Sequence, residues 1–291
     1  MHKFLRAIGF SNIKKKDIEI LLDDIIEHPM MMKVTKDSEG NEFAELSVEY
    51  GGNFGITVRG NYYEDDSFDM DYYFPYFYGT SITTDEEIEI EKHAEKESYA
   101  GVCDEIRVGI TMIFYLQNVA DYLSELNHGR SELALRGAVV SGLSTEGKIL
   151  LPILQKEKKE KKPVTGENRD RNQLIAQARE GNEEAIESLT LEDMDTYSSL
   201  SRRVVKEDIL SIVKSTFMPF GIESDQYSII GEIVDMAKET NCITQEEIYC
   251  LKLNCNDLIF DICINKNDLL GEPKVGRRFK GNIWMQGSVC L

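Results

Sequence analysis

The alternation of apolar and polar residues divides the first half of the chain into an initial helix and a series of strands. Apolar residues at helical spacing predict a helix over residues 15–27, because positions three or four apart share one helix face. Period-two alternation with many aromatic and β-branched residues predicts strands after it. The expected strands are 31–36, 43–50, 54–63, 68–78, 87–92 and 107–116, with a second helix near 117–127.

The second half begins with helical patterns and ends with strands. Apolar spacing predicts short helices in residues 174–189, 191–204 and 207–217. Period-two alternation then predicts the last strands, which are 226–238, 247–254, 258–265 and 279–286. Strands interspersed with a few helices favour an α+β fold over a doubly wound parallel sheet.

A charged segment separates the two halves. Residues 155–172 are rich in Lys, Arg and Glu and have no apolar periodicity, so we expect a solvated linker. Just before it, residues 133–154 read as two strands around a turn at 144–147, which predicts a hairpin. The expected organisation is an N-terminal α+β half, 1–154, that ends in this hairpin, then the linker, then a C-terminal α+β half, 173–291.

Segments of the two halves also align with one another, which predicts an internal repeat. Three strand segments match at nearly constant spacing, and the helices match if the first copy carries an extra stretch near 31–49. The aligned segments are 15–29 with 206–219, 54–63 with 227–236, 87–101 with 259–273 and 113–118 with 283–287. We therefore expect an α+β fold of two related strand-rich halves, each with an N-terminal helix and a mostly antiparallel meander, joined by the charged linker.

The charge of the chain narrows the classes of partner. Its 291 residues include 33 Lys and Arg against 52 Asp and Glu, a formal net charge of -19. This charge opposes the phosphate backbone of nucleic acids and anionic membrane surfaces, so we expect binding to neither. The longest apolar stretches fall far short of the roughly 20 residues that a spanning helix needs. Because the first residues also lack the features of a secretion signal, we expect a cytoplasmic protein.

The sequence contains no motif for a metal site or a catalytic nucleophile. The six cysteines lie at 103, 242, 250, 255, 263 and 290 without C-x-x-C spacing, so we expect buried thiols, with a zinc site as the lesser alternative. Residues 142–149 match the spacing of a phosphate-binding loop, but Ile149 replaces its Ser or Thr and Pro152 follows. We therefore predict no catalytic residue, no metal and no cofactor.

An aromatic and acidic segment, residues 62–78, is the first candidate binding surface. Aromatic residues and Met alternate with aspartates, the period of a half-buried strand. One alternative is an acidic solvent face on a core strand. The other is a surface for a protein partner, since exposed tyrosines beside charges are typical of interfaces. The candidate residues for this interaction surface are Asp65, Asp66, Asp69, Asp71 and Tyr73.

A locally basic segment, residues 271–287, is the second candidate site. Its glycines allow the backbone to approach a ligand closely, and the guanidinium of arginine matches phosphate or carboxylate. The candidate residues for binding a small anionic ligand are Lys274, Arg277, Arg278 and Lys280. The alternative is an edge loop whose cations pair with the surplus carboxylates of this chain.

Three further segments carry a family resemblance. They are MHKFLRAIGFSNI at the start, LTLEDMDTYSSLSRR in the middle and GRRFKGNIWMQG near the end. With these segments the whole chain resembles an uncharacterised bacterial family known only as a domain of unknown function. The resemblance implies a cytoplasmic bacterial protein, and it carries no activity, cofactor or catalytic residue.

These patterns favour one function and leave a second open. The repeat, the acidity and the missing catalytic motifs favour a non-enzymatic cytoplasmic interaction or regulatory protein that binds a protein partner through its acidic and aromatic surface. The cluster of cations motivates the alternative, a small-anion or nucleotide-binding protein, with or without enzymatic activity, that uses residues 274–280.

Overall fold

A computed structural model describes most of the chain. The described residues are 2–65, 67–93, 96–128, 135–153, 173–179, 181–204 and 209–291. The predicted linker, 155–172, lies outside them. The division into domains 1–154 and 173–291 stays a prediction.

Helices make up a small part of the described chain. A 3-10 helix, Lys3–Ile8, is followed by α1, Lys15–Glu27, and later by α2, Val119–Asn127, both close to the predicted positions. The other helical segments are α3, 173–179, α4, Glu183–Val204, and α5, Ile209–Ile212. None of the described helices is long and apolar enough to cross a membrane.

A four-stranded antiparallel sheet, called here the small sheet, follows α1. Its strands pair in chain order and are β1, Met31–Lys36, β2, Glu42–Gly51, β3, Phe54–Tyr62, and β4, Phe68–Phe77. The apolar stripe of α1 is buried at Ile18, Leu22 and Ile25, and it packs in one cluster with Leu46 and Ile56 of the sheet. The amphipathic periodicity of the helix and the alternation of the strands therefore meet in a shared core.

A ten-stranded sheet, called here the large sheet, contains the rest of the strands. From the first half of the chain come β5, Thr84–His93, β6, Ser98–Glu105, β7, Ile110–Leu116, and β8, Leu135–Leu150. From the second half come β9, Thr216–Pro219, β10, Gln226–Thr240, β11, Glu247–Cys255, β12, Leu258–Asn265, β13, Leu269–Leu270, and β14, Arg278–Val289.

The large sheet closes on itself twice, because β8 and β14 each pair along both edges. The first ring runs β5, β6, β7, β14, β8 and back to β5, and the second runs β10, β11, β12, β8, β14 and back to β10. Two of these pairings are parallel, β7 with β14 and β12 with β8, and the others are antiparallel. The two shared strands have 16 residues in β8 and 12 in β14, which is long enough for each to form hydrogen bonds in both rings.

A buried phenylalanine lies over glycines in each ring. A Cβ on Gly101 would stand 2.2 Å from the Phe114 ring, and one on Gly287 would stand 2.7 Å from it. Similarly, a Cβ on Gly147 would lie 2.4 Å from the Phe279 ring. Both phenylalanines are 0% exposed. Glycine is therefore required at these strand positions to make room for the aromatic ring.

The predicted α+β fold of two related halves is wrong. Strands dominate the described chain in two sheets. Among the described residues of the helix expected at 206–219, only Ile209–Ile212 are helical, and β9 begins at Thr216. The segments 113–118 and 283–287, which the alignment treats as copies of one another, lie side by side instead, since Tyr115 of β7 pairs with Gln286 of β14. Strand pairing across the chain depends on long-range hydrogen bonds, which local periodicity does not encode.

The rings nevertheless share one pairing pattern that the alignment did not find. In each, three consecutive strands form an antiparallel meander, β5 to β7 and β10 to β12. The first strand of each meander pairs with the long strand that follows that meander in the chain, β5 with β8 and β10 with β14. The third strand pairs in parallel with the long strand that follows the other meander, β7 with β14 and β12 with β8. The strands of the two rings are thus interlocked.

The hairpin predicted at 133–154 is also wrong. The expected turn, 144–147, lies inside the single strand β8. This strand stays extended because β14 pairs along it from Ala138 to Leu150 on one edge, while β5, β12 and β13 pair with the other. The same strand contains the residues with phosphate-loop spacing, and no helix starts there to bind a phosphate.

Candidate functional site

A buried polar cluster around Arg59 joins the small sheet to the first ring. Arg59 of β3 is 0% exposed, and its Nε donates to the carboxylate of Glu45 at 2.7 Å. Its Nη1 donates to the hydroxyls of Tyr72 and Tyr115 at 3.1 and 3.0 Å. Its Nη2 donates to the carbonyl oxygens of residues 116 and 117. Since every nitrogen has a partner within the chain, this cluster joins the sheets and leaves no donor for a ligand.

Arg59 keeps its charge in this cluster. Burial lowers the pKa of Arg59, but the charge of Glu45 and the neighbouring tyrosines raise it by more, so the net shift is upward. The second carboxylate oxygen of Glu45 accepts the N–H of Ala120 in the first turn of α2, at 3.2 Å. The helix N-terminus thus adds a favourable dipole to the buried carboxylate.

The predicted anion-binding residues do not converge on one point. Lys274 is exposed and lies 3.0 Å from the carboxylate of Glu272. Arg277 is half-exposed and donates to the carbonyl oxygen of Glu272 at 2.7 Å. Lys280 is half-exposed on β14 and pairs across the sheet with Lys148. Anion binding at these residues stays a prediction.

Arg278 has a separate role, because it is buried against the backbone. Its Nε and Nη2 donate to the carbonyl oxygen of Leu151 at 3.2 and 2.9 Å. Its Nη2 also donates to the carbonyl oxygen of Leu210 at 2.8 Å, and its Nη1 donates to that of Val213. These bonds tie the end of β8 to the end of α5 and use four of the five N–H groups of a guanidinium.

We expect Arg278→Met to lower the free energy of unfolding by about 1–3 kcal/mol, because it leaves several part-buried carbonyl oxygens without their donor. The matched variant Arg277→Met should change it by less than ~0.5 kcal/mol, as is usual at the surface. Urea unfolding with and without inorganic phosphate measures both. If phosphate stabilised the wild type and Arg278→Met alone abolished that gain, Arg278 would be an anion ligand and the structural role would be wrong.

The predicted acidic and aromatic surface lies mainly at the turn between β3 and β4. Asp65 is exposed and accepts the N–H of Ser67 at 3.1 Å, and Asp69 accepts the hydroxyl of Tyr63 at 3.3 Å. Asp71 is half-buried, 3.4 Å from Lys96, and Tyr73 is half-buried with its hydroxyl accepting from the backbone of the N-terminal segment. Asp66 lies outside the described residues.

The exposed apolar side chains of this turn are Tyr63 and Met70, and not Tyr73, which was expected from the sequence. Tyr63 is 56% exposed and Met70 is 38% exposed, whereas Tyr73, the tyrosine chosen from the sequence, packs against the core. We call residues 63–65 and 67–70 the acidic hairpin tip. It presents the exposed aromatic side chain of Tyr63 and the thioether of Met70 together with the carboxylates of Asp65 and Asp69. Tyr63 precedes the alternating strand, so periodicity gave no signal for it.

A cleft of about 330 Å³ lies between the start of α1 and the turn that joins β10 to β11. Its apolar walls come from Phe10, Ile13, Leu21 and Ile243. Its polar walls come from Asn12, Asp17, Thr244 and Glu246, and none of the described lining residues is a lysine or an arginine. A cleft of this kind fits a side chain with an apolar stem and a cationic head.

The carboxylate of Glu246 is held in place in this cleft. Its Oε2 accepts the hydroxyl of Ser11 at 2.7 Å and the side-chain amide of Asn265. The amide of Asn265 also donates to Ser11 at 3.1 Å. Sequence reasoning missed the cleft because its residues come from opposite ends of the chain, and only folding brings 10–21 beside 243–246.

A family model described as "Domain of unknown function, E. rectale Gene description (DUF3881)" matches residues 5–287. The chain belongs to the DUF3881 family. This confirms the resemblance to a family of unknown function, and the bacterium named in the description supports a bacterial origin. No curated protein and no solved structure matches the chain.

The DUF3881 match runs from the first 3-10 helix into β14. It therefore includes the small sheet, both rings, the acidic hairpin tip and the cleft. Within the described residues, no group of three or more His, Cys, Asp and Glu side chains could hold a metal ion.

Proposed function

We propose that this DUF3881 protein is a non-enzymatic interaction or regulatory protein of the bacterial cytoplasm that binds a basic segment of a partner protein. The observation that carries the proposal is the acidic hairpin tip, where the exposed side chains of Tyr63 and Met70 accompany exposed carboxylates. Aromatic residues and Met are enriched in protein interfaces, where they supply most of the contact area.

The charge of the chain favours a cationic partner. With a formal net charge of -19, the protein attracts basic surfaces over a distance of about one Debye length, roughly 8 Å at physiological salt. Attraction of this kind raises the rate of association more than the final affinity. The carboxylates at the tip would then pair with Lys or Arg of the partner, while Tyr63 and Met70 supply apolar contact.

The cleft beside α1 supports the same class of partner. A lysine or arginine side chain could place its stem against Phe10 and Leu21 and its charge near Asp17 or Glu246. Asp17 lies in the first turn of α1 and Glu246 is held by Ser11. The tip and the cleft are separate surfaces, so variants of each distinguish which of them binds.

The proposal predicts that removing the apolar side chains of the tip weakens partner binding by about tenfold or more, which corresponds to ~1.4 kcal/mol. The variant is Tyr63→Ser with Met70→Ser. Its matched control is Ile222→Ser, which removes an apolar side chain that is 99% exposed in the turn between β9 and β10. Proteins that co-purify with each variant from bacterial extract are compared, and the dissociation constant of the purified partner is then measured.

Charge variants complete the test. Asp17→Asn probes the cleft, and Asp23→Asn on the exposed side of the same helix is its control. The proposal is supported if a basic partner is lost with the tip variant and retained with Ile222→Ser. The affinity for that partner should also fall as the salt concentration rises. Recovery of the same proteins with the tip variant, the cleft variant and both controls would contradict it.

A further inference from the structure

Two cysteines that sequence reasoning treated as buried apolar residues face one another across neighbouring strands. Cys250 of β11 and Cys263 of β12 are direct partners in the antiparallel register. Directly opposite residues in such a pair point to the same side of the sheet. The two thiols therefore lie on the same side of the β11–β12 pair.

The separation of the two positions matches a disulfide. Opposite residues in an antiparallel pair have Cα atoms about 5.5 Å or about 4.5 Å apart, depending on whether they exchange backbone hydrogen bonds. Disulfides span Cα distances of roughly 4.4–6.8 Å. The other buried cysteines lack such a neighbour, since Cys103 lies opposite Met112 and Cys255 lies opposite Leu258.

The two thiols differ in access. Cys263 is 0% exposed, and its Sγ donates to the carbonyl oxygen of Ala7 at 3.3 Å. Cys250 is half-buried and lines an open cavity of about 160 Å³ whose other walls include Gly52, Thr80 and Lys252. Small molecules therefore reach Cys250, while Cys263 is reached only through it.

We infer that Cys250 and Cys263 form an oxidisable dithiol that a small peroxide converts reversibly into a disulfide. The thiolate of Cys250 attacks one peroxide oxygen, the O–O bond breaks, and the departing hydroxide takes up a proton as water. Cys250 is then a sulfenic acid. The sulfur of Cys263 attacks the sulfur of this group, the S–S bond forms and the S–O bond breaks, and the proton of Cys263 leaves with the hydroxide as a second water.

The order of these steps follows from burial. Burial raises the pKa of the Cys263 thiol well above its usual range, with a further contribution from Cys250. Because the thiolate is the attacking form, Cys250 reacts first and Cys263 resolves the intermediate. The two electrons go to the peroxide, and a soluble dithiol reductant returns the pair to thiols by exchange.

Oxidation also changes one contact of the N-terminal segment. Once Cys263 has lost its proton in forming the disulfide, its sulfur can no longer donate a hydrogen bond to the carbonyl oxygen of Ala7. Ala7 lies in the 3-10 helix Lys3–Ile8, whose apolar residues belong to the same buried cluster as Cys263. We therefore expect faster amide hydrogen exchange in residues 3–10 after oxidation, and recovery after reduction.

The experiment uses the full chain with the exposed Cys242 and Cys290 replaced by serine. The folded protein is treated with hydrogen peroxide and then unfolded. One sample is alkylated directly, a second is reduced before alkylation, and both are digested. Cleavage after lysine and before aspartate places the three cysteines on separate peptides, because Lys252 lies between Cys250 and Cys255, and Asp257 and Asp261 lie between Cys255 and Cys263. The expected result is a peptide pair linked through Cys250 and Cys263, loss of two alkylation sites, and full return of both after reduction.

A matched variant makes the result decisive. With Cys250→Ser added, Cys263 should remain alkylated in full after the same treatment, and the protein should keep its far-ultraviolet circular dichroism. With Cys103→Ser instead, the linked peptide should form as before. Persistence of both alkylation sites in the peroxide-treated parent protein, or oxidation of Cys250 that stops at the sulfenic or sulfinic acid, would overturn the inference.

Discussion

Replacing Arg59 with methionine is expected to lower the free energy of unfolding by about 3–5 kcal/mol, the usual cost of leaving one partner of a buried ion pair alone. The change leaves the carboxyl group of Glu45 without its partner. It also removes the donors to Tyr72 and Tyr115 and to the carbonyl oxygen at the end of β7. The methionine fills part of the volume, so the loss measures the polar contacts.

Urea unfolding followed by circular dichroism measures this change. The double variant Arg59→Met with Glu45→Met removes both charges, so it should be less destabilised than the single variant, by about 1–3 kcal/mol relative to the wild type, because the carbonyl oxygens remain unpaired. Arg277→Met, at a half-exposed site, is the matched control. A loss below ~1 kcal/mol for Arg59→Met would contradict this prediction, because it would show that Glu45 finds water or another partner in the variant.

The second large effect is expected in the two rings. Phe114→Ala and Phe279→Ala should each lower the free energy of unfolding by about 3–5 kcal/mol, the range for deleting a buried aromatic ring. Each phenylalanine is 0% exposed and covers glycines of neighbouring strands. Because those glycines have no side chains to move into the space, the cavity cannot collapse easily.

Both variants should unfold in a single transition with an unchanged dependence on urea, because β8 and β14 belong to both rings and neither can open alone. Phe220→Ala, at a residue that is 44% exposed, is the control and should cost less than ~1 kcal/mol. Two separate transitions in either ring variant would contradict the view that the shared strands unite the rings.

The local elements were largely predictable from periodicity. Helix α1 begins and ends at the predicted residues, and the predicted strands 31–36, 54–63 and 258–265 match β1, β3 and β12 closely. Strand β6 was missed because one of its inward positions is Gly101, which interrupts the apolar alternation. The space that Gly101 leaves is filled by Phe114 from the next strand.

The candidate sites were less predictable, because a residue type does not reveal its partners. Arg278 and Arg277 are adjacent in the sequence, yet Arg278 is buried and bound to backbone carbonyl oxygens, whereas Arg277 is half-exposed. The aspartates of 62–78 were correctly placed near solvent at Asp65 and Asp69, but the exposed tyrosine is Tyr63. The cleft and the Cys250–Cys263 pair had no sequence signal, since each depends on which strands and turns lie side by side.

The family, the surplus of negative charge, the position of α1 and most of the strands could be read from the amino-acid sequence, because composition and periodicity are local properties of the chain. The pairing of the strands, the extension of β8 through residues 144–147 and the closure of two rings by β8 and β14 became visible in the folded protein alone. Alternation indicates which face of a strand is buried, but it does not indicate which strand is the neighbour. Every residue offers similar backbone hydrogen-bonding groups, so the packing of the whole chain determines which strands pair.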